Sequence, residues 1–347
     1  MVSATPLEGL AEDAEEPGPE SDIRSLQLPP QQHGQRLDKA LAISVPEFSR
    51  SYLQQLLESG LVQINGQVCT KAAQKVRCAD TLTLELRPTP QSQAFRAEQV
   101  DFCIAFEDQH LLVVNKPAGL VVHPAPGNWS GTLLNGLLAY APGFASVPRA
   151  GIVHRLDKDT SGLLVVAKHR QAMDALVQAI AERQVSRQYL ALAHGAWTGA
   201  TRQRVDAAIG RDPRNRLRMA VVDRSSQSGK EARTDFEWLG GNADSSFVRC
   251  TLHTGRTHQI RVHLASLGHP LIADTVYGGS ALYGLKRQAL HATRLAFSHP
   301  VTGAALQFEC PLPGDMQGAV GRALEERSAP YGATLFLSGF PAAGLTC

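Results

Sequence analysis

Gly151-Ile152-Val153-His154-Arg155-Leu156-Asp157-Lys158-Asp159-Thr160-Ser161-Gly162 is the densest chemical segment of this 347-residue chain. Two acids, an arginine, a lysine, a histidine and two hydroxyls lie between apolar runs, and Gly162–Lys168 reads as a buried strand. Two chemistries fail on spacing. Asp157, Asp159, Ser161 and Gly162 match positions 1, 3, 5 and 6 of an EF-hand loop, but position 12, which needs a bidentate Glu, is Lys168. Aspartyl-phosphate chemistry needs a clean apolar strand into its nucleophile and a later acidic pair for magnesium. Here His154 and Arg155 interrupt the strand, and no Asp-Asp pair follows.

Working outward, Val100 to Pro313 alternates strands with a few helices. Leu111–Asn115 and Leu120–His123 flank Lys116-Pro117-Ala118-Gly119 as a strand–turn–strand. Thr132–Tyr140 reads as a helix. Met173, Leu176, Val177 and Ile180 recur at helical spacing, so 170–184 is expected to be amphipathic. Strands are expected at Arg187–His194, Glu231–Leu239, Phe247–His253, Leu290–Phe297 and Ala305–Cys310. Thr257–Leu267 should be a short helix stopped by Gly268 and Pro270. Upstream, 34–87 forms a smaller unit. It has a short helix beginning at 34–41, a second capped by Ser49 and ended by Gly60, and a hairpin turning at Asn65-Gly66. A closing strand follows at Thr81–Leu86. Residues 88–96 read as a polar linker.

Composition sets the outer limits. With 43% hydrophobic residues the chain holds a sizeable core, and no apolar run approaches the ~18 residues of a membrane span. The net charge of +2 averages unlike parts. Residues 1–32 hold seven acids and only Arg24 as base, a net −6, which leaves +8 on 33–347. The body is basic and suited to an anionic partner. The Pro-, Glu- and Ser-rich residues 1–32 are expected to be a disordered acidic tail, and 315–347 a weakly patterned extension. The six cysteines contain no C-x-x-C pair, so zinc-ribbon and redox readings lack their spacing; reduced thiols in a cytoplasmic protein are expected. His258, His263 and His269 are spaced 5 and 6 apart, unlike a helical zinc pair, so no metal site is expected.

The opening segment resembles the H-R-L-D-x-x-T-S-G signature of the RluA family of pseudouridine synthases. Arg149-Ala150-Gly151-Ile152-Val153 and Lys158-Asp159 are closest to its RluD-type branch. Asn115-Lys116-Pro117-Ala118-Gly119-Leu120-Val121-Val122-His123-Pro124 is similar to the family's upstream motif. Arg187-Gln188-Tyr189-Leu190-Ala191 and Thr254-Gly255-Arg256-Thr257-His258-Gln259-Ile260-Arg261-Val262-His263 match later ones. Gly268-His269-Pro270-Leu271, Asp274-Thr275-Val276-Tyr277-Gly278 and Leu290-His291-Ala292 continue the likeness. Residues 34–87 resemble an S-four-type RNA-binding domain.

The resemblance implies an α+β fold whose catalytic domain, 96–314, is built on a mixed, mainly antiparallel sheet. A small RNA-binding domain, 33–95, would precede it. It implies isomerisation of uridine to pseudouridine in large-subunit (23S) ribosomal RNA without a cofactor, by a cytoplasmic chain expected to be a monomer and not membrane-bound. Another rRNA site, a tRNA, or a non-catalytic assembly factor remain the alternatives. Asp157 takes the family's nucleophile or base position, since a carboxylate of ordinary pKa near ~4 is anionic at pH 7. Arg261 matches the arginine that pairs with it, and Tyr189 the active-site tyrosine that stacks on the target base. Extruding a uridine from a stem costs a few kcal/mol; Arg155 would fill the space left and Leu156 would wall the pocket. Arg256 and His258 either contact phosphate or fix their loop. Arg36, Lys39, Arg50, Lys71, Lys75 and Arg77, with few aromatics among them, favour recognition of RNA by backbone and shape.

Overall fold

The computed structural model describes residues 22–46, 48–86, 94–215 and 218–325. The chain divides into two compact units, Met1–Gln93 and Ala94–Cys347. In the first, the sheet order is β1 (Asp22–Gln27), β4 (Thr81–Leu86), β2 (Val62–Ile64), β3 (Gln67–Val68), all antiparallel. Helices α1 (Leu37–Ser44) and α2 (Arg50–Glu58) supply Leu37, Leu41, Leu53, Leu56 and Leu57 to a core shared with Val62, Leu82 and Leu84. The Ser49 hydroxyl accepts from the Tyr52 amide at 3.3 Å, as its capping position requires. Asn65 and Gly66 both have positive φ, +51° and +81°, the pair a two-residue hairpin turn demands.

The expectation of disorder fails for residues 22–32. Asp22–Gln27 pairs along the whole of β4, and Leu28 and Gln32 are buried. The open edge of β4 supplies main-chain partners to a segment whose own apolar pattern is too weak to read. Residues 1–21 lie outside the described residues.

In the second unit one sheet runs β5 (Cys103–Glu107), β6 (Leu111–Lys116), β7 (Ser161–Ala167), β15 (Leu290–Ser298), β8 (Ser186–His194), β14 (Ser245–Leu252), β13 (Arg233–Gly241), β9 (Arg202–Asp206). Strand β16 (Ala305–Glu309) also pairs with β15. A small side sheet joins β10 (Ile209–Arg211), β11 (Met219–Val221) and β12 (Gly229–Lys230). The sheet is antiparallel except where β7 and β15 run parallel, with Ser161 beside His291 and Gly162 beside Ala292. It is thus an α+β fold on a mixed, mainly antiparallel sheet.

All seven residues of β7 are buried, because helix α4 (Arg170–Ala181) covers one face and a second apolar cluster the other. Leu120–His123 is not a strand. The carbonyls of Val121 and Val122 instead accept the first amides of helix α3 (Leu133–Tyr140), from Leu133 and Leu134, which satisfies orphan donors of that helix. Helix α4 ends at Ala181 rather than 184, where Arg183 turns to φ +62°. Helix α6 (Gly314–Glu325) takes up the start of the expected extension. It packs Met316, Ala319, Val320 and Ala323 against Leu192, Phe247 and Ile272. Residues 326–347 lie outside the described residues. Cys69, Cys78, Cys250 and Cys310 are free thiols, whereas Cys103 is disulfide-bonded, so the expectation of reduced thiols does not hold for Cys103. Among the described residues no helix is long and apolar enough to cross a membrane.

Candidate active site

The loop before β7 carries Asp157 and is tied down from three sides. Lys116, wholly buried at the end of β6, donates from Nζ to the carbonyls of Pro117, Leu120 and Lys158 at 2.8–2.9 Å. Burial pushes this amine down to about 7, opposed by the charges of Asp159 and Asp157. The Gly119 amide donates to the Lys158 carbonyl as well. Arg287 donates to the Asp159 carbonyl at 2.9 Å and pairs with Asp315 of α6. The Thr160 amide closes the turn on the Asp157 carbonyl at 3.1 Å. Asp159 therefore acts as a turn residue.

Opposite stands helix α5 (Gln259–Ser266), of which the first six residues are buried. A helix buried all round must satisfy its polar side chains internally. Gln259 donates to the Arg233 carbonyl and Thr234 hydroxyl, and accepts from Thr254 and the Arg256 amide. His263 bridges Thr234 and the Ala207 carbonyl. Arg261 donates from Nε and Nη2 to both carboxylate oxygens of the buried Asp274, at 2.7 and 2.8 Å. That fork leaves Nη1 to reach Asp157 Oδ2 at 3.1 Å. Burial works against the Arg261 charge, but the hydrogen bond to Asp274 and the two carboxylates outweigh it and raise its pKa. The Tyr277 ring lies under the guanidinium, 5.0 Å away.

His258 is the N-cap of α5 in the left-handed region, φ +56°, and so the helix starts at Gln259 instead of Thr257. Its Nδ1 is 2.8 Å from the Tyr277 hydroxyl, and its Nε2 is 3.9 Å from Asp157 Oδ1. Burial lowers its pKa although Asp157 opposes this, so the ring is neutral at pH 7. The Tyr277 hydroxyl accepts the Met219 amide. If its proton goes to Nδ1, the Nε2–H faces Asp157.

Asp157, Tyr189, Arg261, Arg155, Leu156, Arg256 and His258 all line one cavity of about 330 Å³. Tyr189, in the middle of β8 between Cys250 and Ala292, is 5% exposed, and burial pushes its phenol up to about 12, so it stays protonated. Leu156 is buried in the main core and Arg155 is exposed at the mouth. Arg256 donates from Nε to the Glu231 carbonyl, so it holds its loop. The site gathers one carboxylate, a fixed guanidinium, an aromatic wall and an open rim.

Curated relatives cover nearly the whole arrangement. The chain is 48% identical over 301 residues to ribosomal large subunit pseudouridine synthase D of Nitrosomonas europaea, covering 84% of this chain and 85% of the relative. It is 44% identical over 314 residues to the protein of the same name from Vibrio parahaemolyticus, covering 87% and 94%. The chain belongs to the RNA pseudouridine synthase family. The family model described as RNA pseudouridylate synthase matches residues 110–266, and that of the S4 domain residues 35–82. A solved structure, human RNA pseudouridylate synthase domain containing 4, is similar with a TM-score of 0.51 and 25% identity, over 63% of this chain and 92% of that one.

In this synthase the motif residues from 155 to 261 line one cavity. The six basic residues expected to meet RNA, Arg36, Lys39, Arg50, Lys71, Lys75 and Arg77, are all exposed on the first unit, where Arg36 also pairs with Asp38 at 2.7 Å. Sequence reading assigned no role to Asp274 or Tyr277, although their segment was recognisable. An acid 13 residues beyond an arginine gives no local sign that the two meet. The histidines set aside as metal ligands are spoken for by other partners: His263 as above, and His269 by the His194 carbonyl and the Trp197 ring.

Proposed function

We propose that this synthase isomerises uridines of large-subunit (23S) ribosomal RNA to pseudouridine, with Asp157 as the reacting carboxylate. The observation that carries the reading is the Asp157–Arg261–Asp274 chain at the floor of an open cavity, beside a buried tyrosine. In the reaction the bond from uracil N1 to ribose C1′ breaks, the base turns, and C5 joins C1′. The C5 proton leaves and N1 gains one, so atoms balance with no co-reactant. Asp157 attacks or takes a proton while Arg261 holds it aimed. Tyr189 lies flat against the extruded base near C5, Leu156 walls it, and Arg155 enters the space left in the stem. Arg256 and His258 hold the pocket's far side. The basic face of the first unit, Arg36, Lys39, Arg50, Lys71, Lys75 and Arg77, grips structured RNA by its phosphates. The chain acts as a cytoplasmic monomer in this reading. The names of its relatives support the target.

Chemical mapping of pseudouridine in rRNA and tRNA tests this. Cells lacking the protein are expected to lose a few large-subunit sites, restored by wild type and not by Asp157→Asn. An unchanged map, or full rescue by Asp157→Asn, would overturn the proposal.

A further inference from the structure

The charge of the cavity is lopsided. Arg155, Arg183, Arg187, Arg256 and Arg261 line it, and Asp157 is its sole acid. Arg261 is answered by two carboxylates and Arg256 by a carbonyl. Arg155 and Arg183 reach solvent. Arg187 differs from all of them. It is 6% exposed, its Nε is buried with no hydrogen-bond partner, and no carboxylate among the described residues pairs with it.

A guanidinium that is both buried and unanswered is costly to the free protein. Burial accordingly lowers its pKa, Tyr189 opposes this, and the nearby Arg256 charge adds to the lowering. The backbone makes room for it: a Cβ on Gly255, another wall residue, would stand 2.8 Å from Arg187 Nη1. A second wall residue is also an orphan donor. The Val165 amide donates to His154 Nε2, so the ring proton sits on Nδ1, which is buried without an acceptor. Arg187 and Tyr189 are alternate residues of β8 and face the same side, roughly 6.6 Å apart along the strand.

We propose that Arg187 binds a phosphodiester of the substrate strand next to the target uridine. An anion rich in acceptors supplies what the wall lacks, and guanidinium binds phosphate oxygens in a fork. The inference rests on the functional reading above and adds a ligand to that site. Arg187 is in this view the anchor that fixes the target nucleotide's backbone while Tyr189 receives its base. The unanswered charge is stored in the free protein and neutralised on binding.

The test uses the full chain and a stem–loop of large-subunit rRNA bearing the uridine that wild type modifies. Phosphates flanking that uridine are replaced one at a time by neutral methylphosphonates, and equilibrium binding is measured over a range of salt. One neutral linkage is expected to weaken wild-type binding on the order of tenfold, and to have no effect on Arg187→Met. Arg187→Met should bind the unmodified stem–loop about as weakly, with a salt slope reduced by about 0.7 to 0.9. Its Tm should be no lower than wild type, because an unanswered buried charge has gone, whereas a merely structural arginine would leave a large loss. Arg187→Lys provides a second variant, expected to keep the salt slope and lose affinity. If every neutral linkage weakens variant and wild type alike, the Arg187 assignment falls while the functional reading stands. If wild type forms no pseudouridine in any rRNA, both fall.

Discussion

Asp157 and Arg261 are the pair on which the proposed chemistry turns, yet Asp274 decides whether they meet. Its carboxylate engages two of the three guanidinium nitrogens and is 2% exposed. Asp274→Asn keeps the shape but places an amide N–H₂ against a guanidinium and removes a buried charge. Removing one member of a buried pair costs about 3 to 5 kcal/mol, and the freed guanidinium can turn from Asp157. We expect lower stability in urea and at least a tenfold fall in single-turnover pseudouridine formation at saturating RNA. An Asp274→Asn protein with wild-type turnover would remove Asp274 from the positioning chain. Of these three residues, Asp157 and Arg261 stood in recognisable motifs. Asp274 did as well, but an acid's partner is a property of the fold.

Elements set where those residues stand. The parallel contact of β7 with β15 joins the Asp157 loop to the centre of the sheet, and Gly162 pairs there with Ala292. With φ +111° and a hypothetical Cβ only 2.2 Å from the Ala292 carbonyl, the position admits no side chain. Gly162→Ala is expected to cost on the order of 3 kcal/mol in chemical denaturation, and to lower activity through the displaced loop. A variant of wild-type stability would mean that the two strands part without cost. Helix α5 shows the limit of pattern reading. Its residues Gln259–Leu264 are buried on every side, so hydrophobic periodicity marks it poorly, and the left-handed His258 delays its start. Strand β1 shows the opposite limit, for its order comes from the edge of β4 and not from its own residues. The amphipathic helix at 170–181 and the Asn65-Gly66 hairpin were legible because their signals are local.

At the scale of the molecule, acidity should be felt through histidines that packing holds neutral. Burial pushes His123 down to about 4, His154 to about 3 and His291 to about 4, against an ordinary value near ~6.5. On acidification the unfolded chain binds protons at these sites first, so more protons are bound unfolded than folded. Their contribution to stability is whole above pH ~6.5 and declines as pH falls toward ~4, by up to ~1.4 kcal/mol per pH unit for each site. Urea midpoints measured from pH 7.5 to 4.5 should fall accordingly. His291→Gln should reduce the slope, since the His291 ring nitrogens now bridge Ser161 and the Cys310 carbonyl in neutral form. A pH-independent midpoint would contradict the neutral state of these rings. By itself the sequence determined the local matters: most of the strands and helices with strong periodicity, the Asn65-Gly66 turn, that the body is basic, and which motif residues are the candidates for the chemistry. The family resemblance already implied that Asp157 and Arg261, 104 residues apart, pair, whereas the tertiary structure alone decided that Asp274 holds the guanidinium between them and that Arg187 is buried with its charge unanswered. Periodicity and spacing record which face of a segment is turned inward, but the partner it meets there is fixed only when distant elements pack.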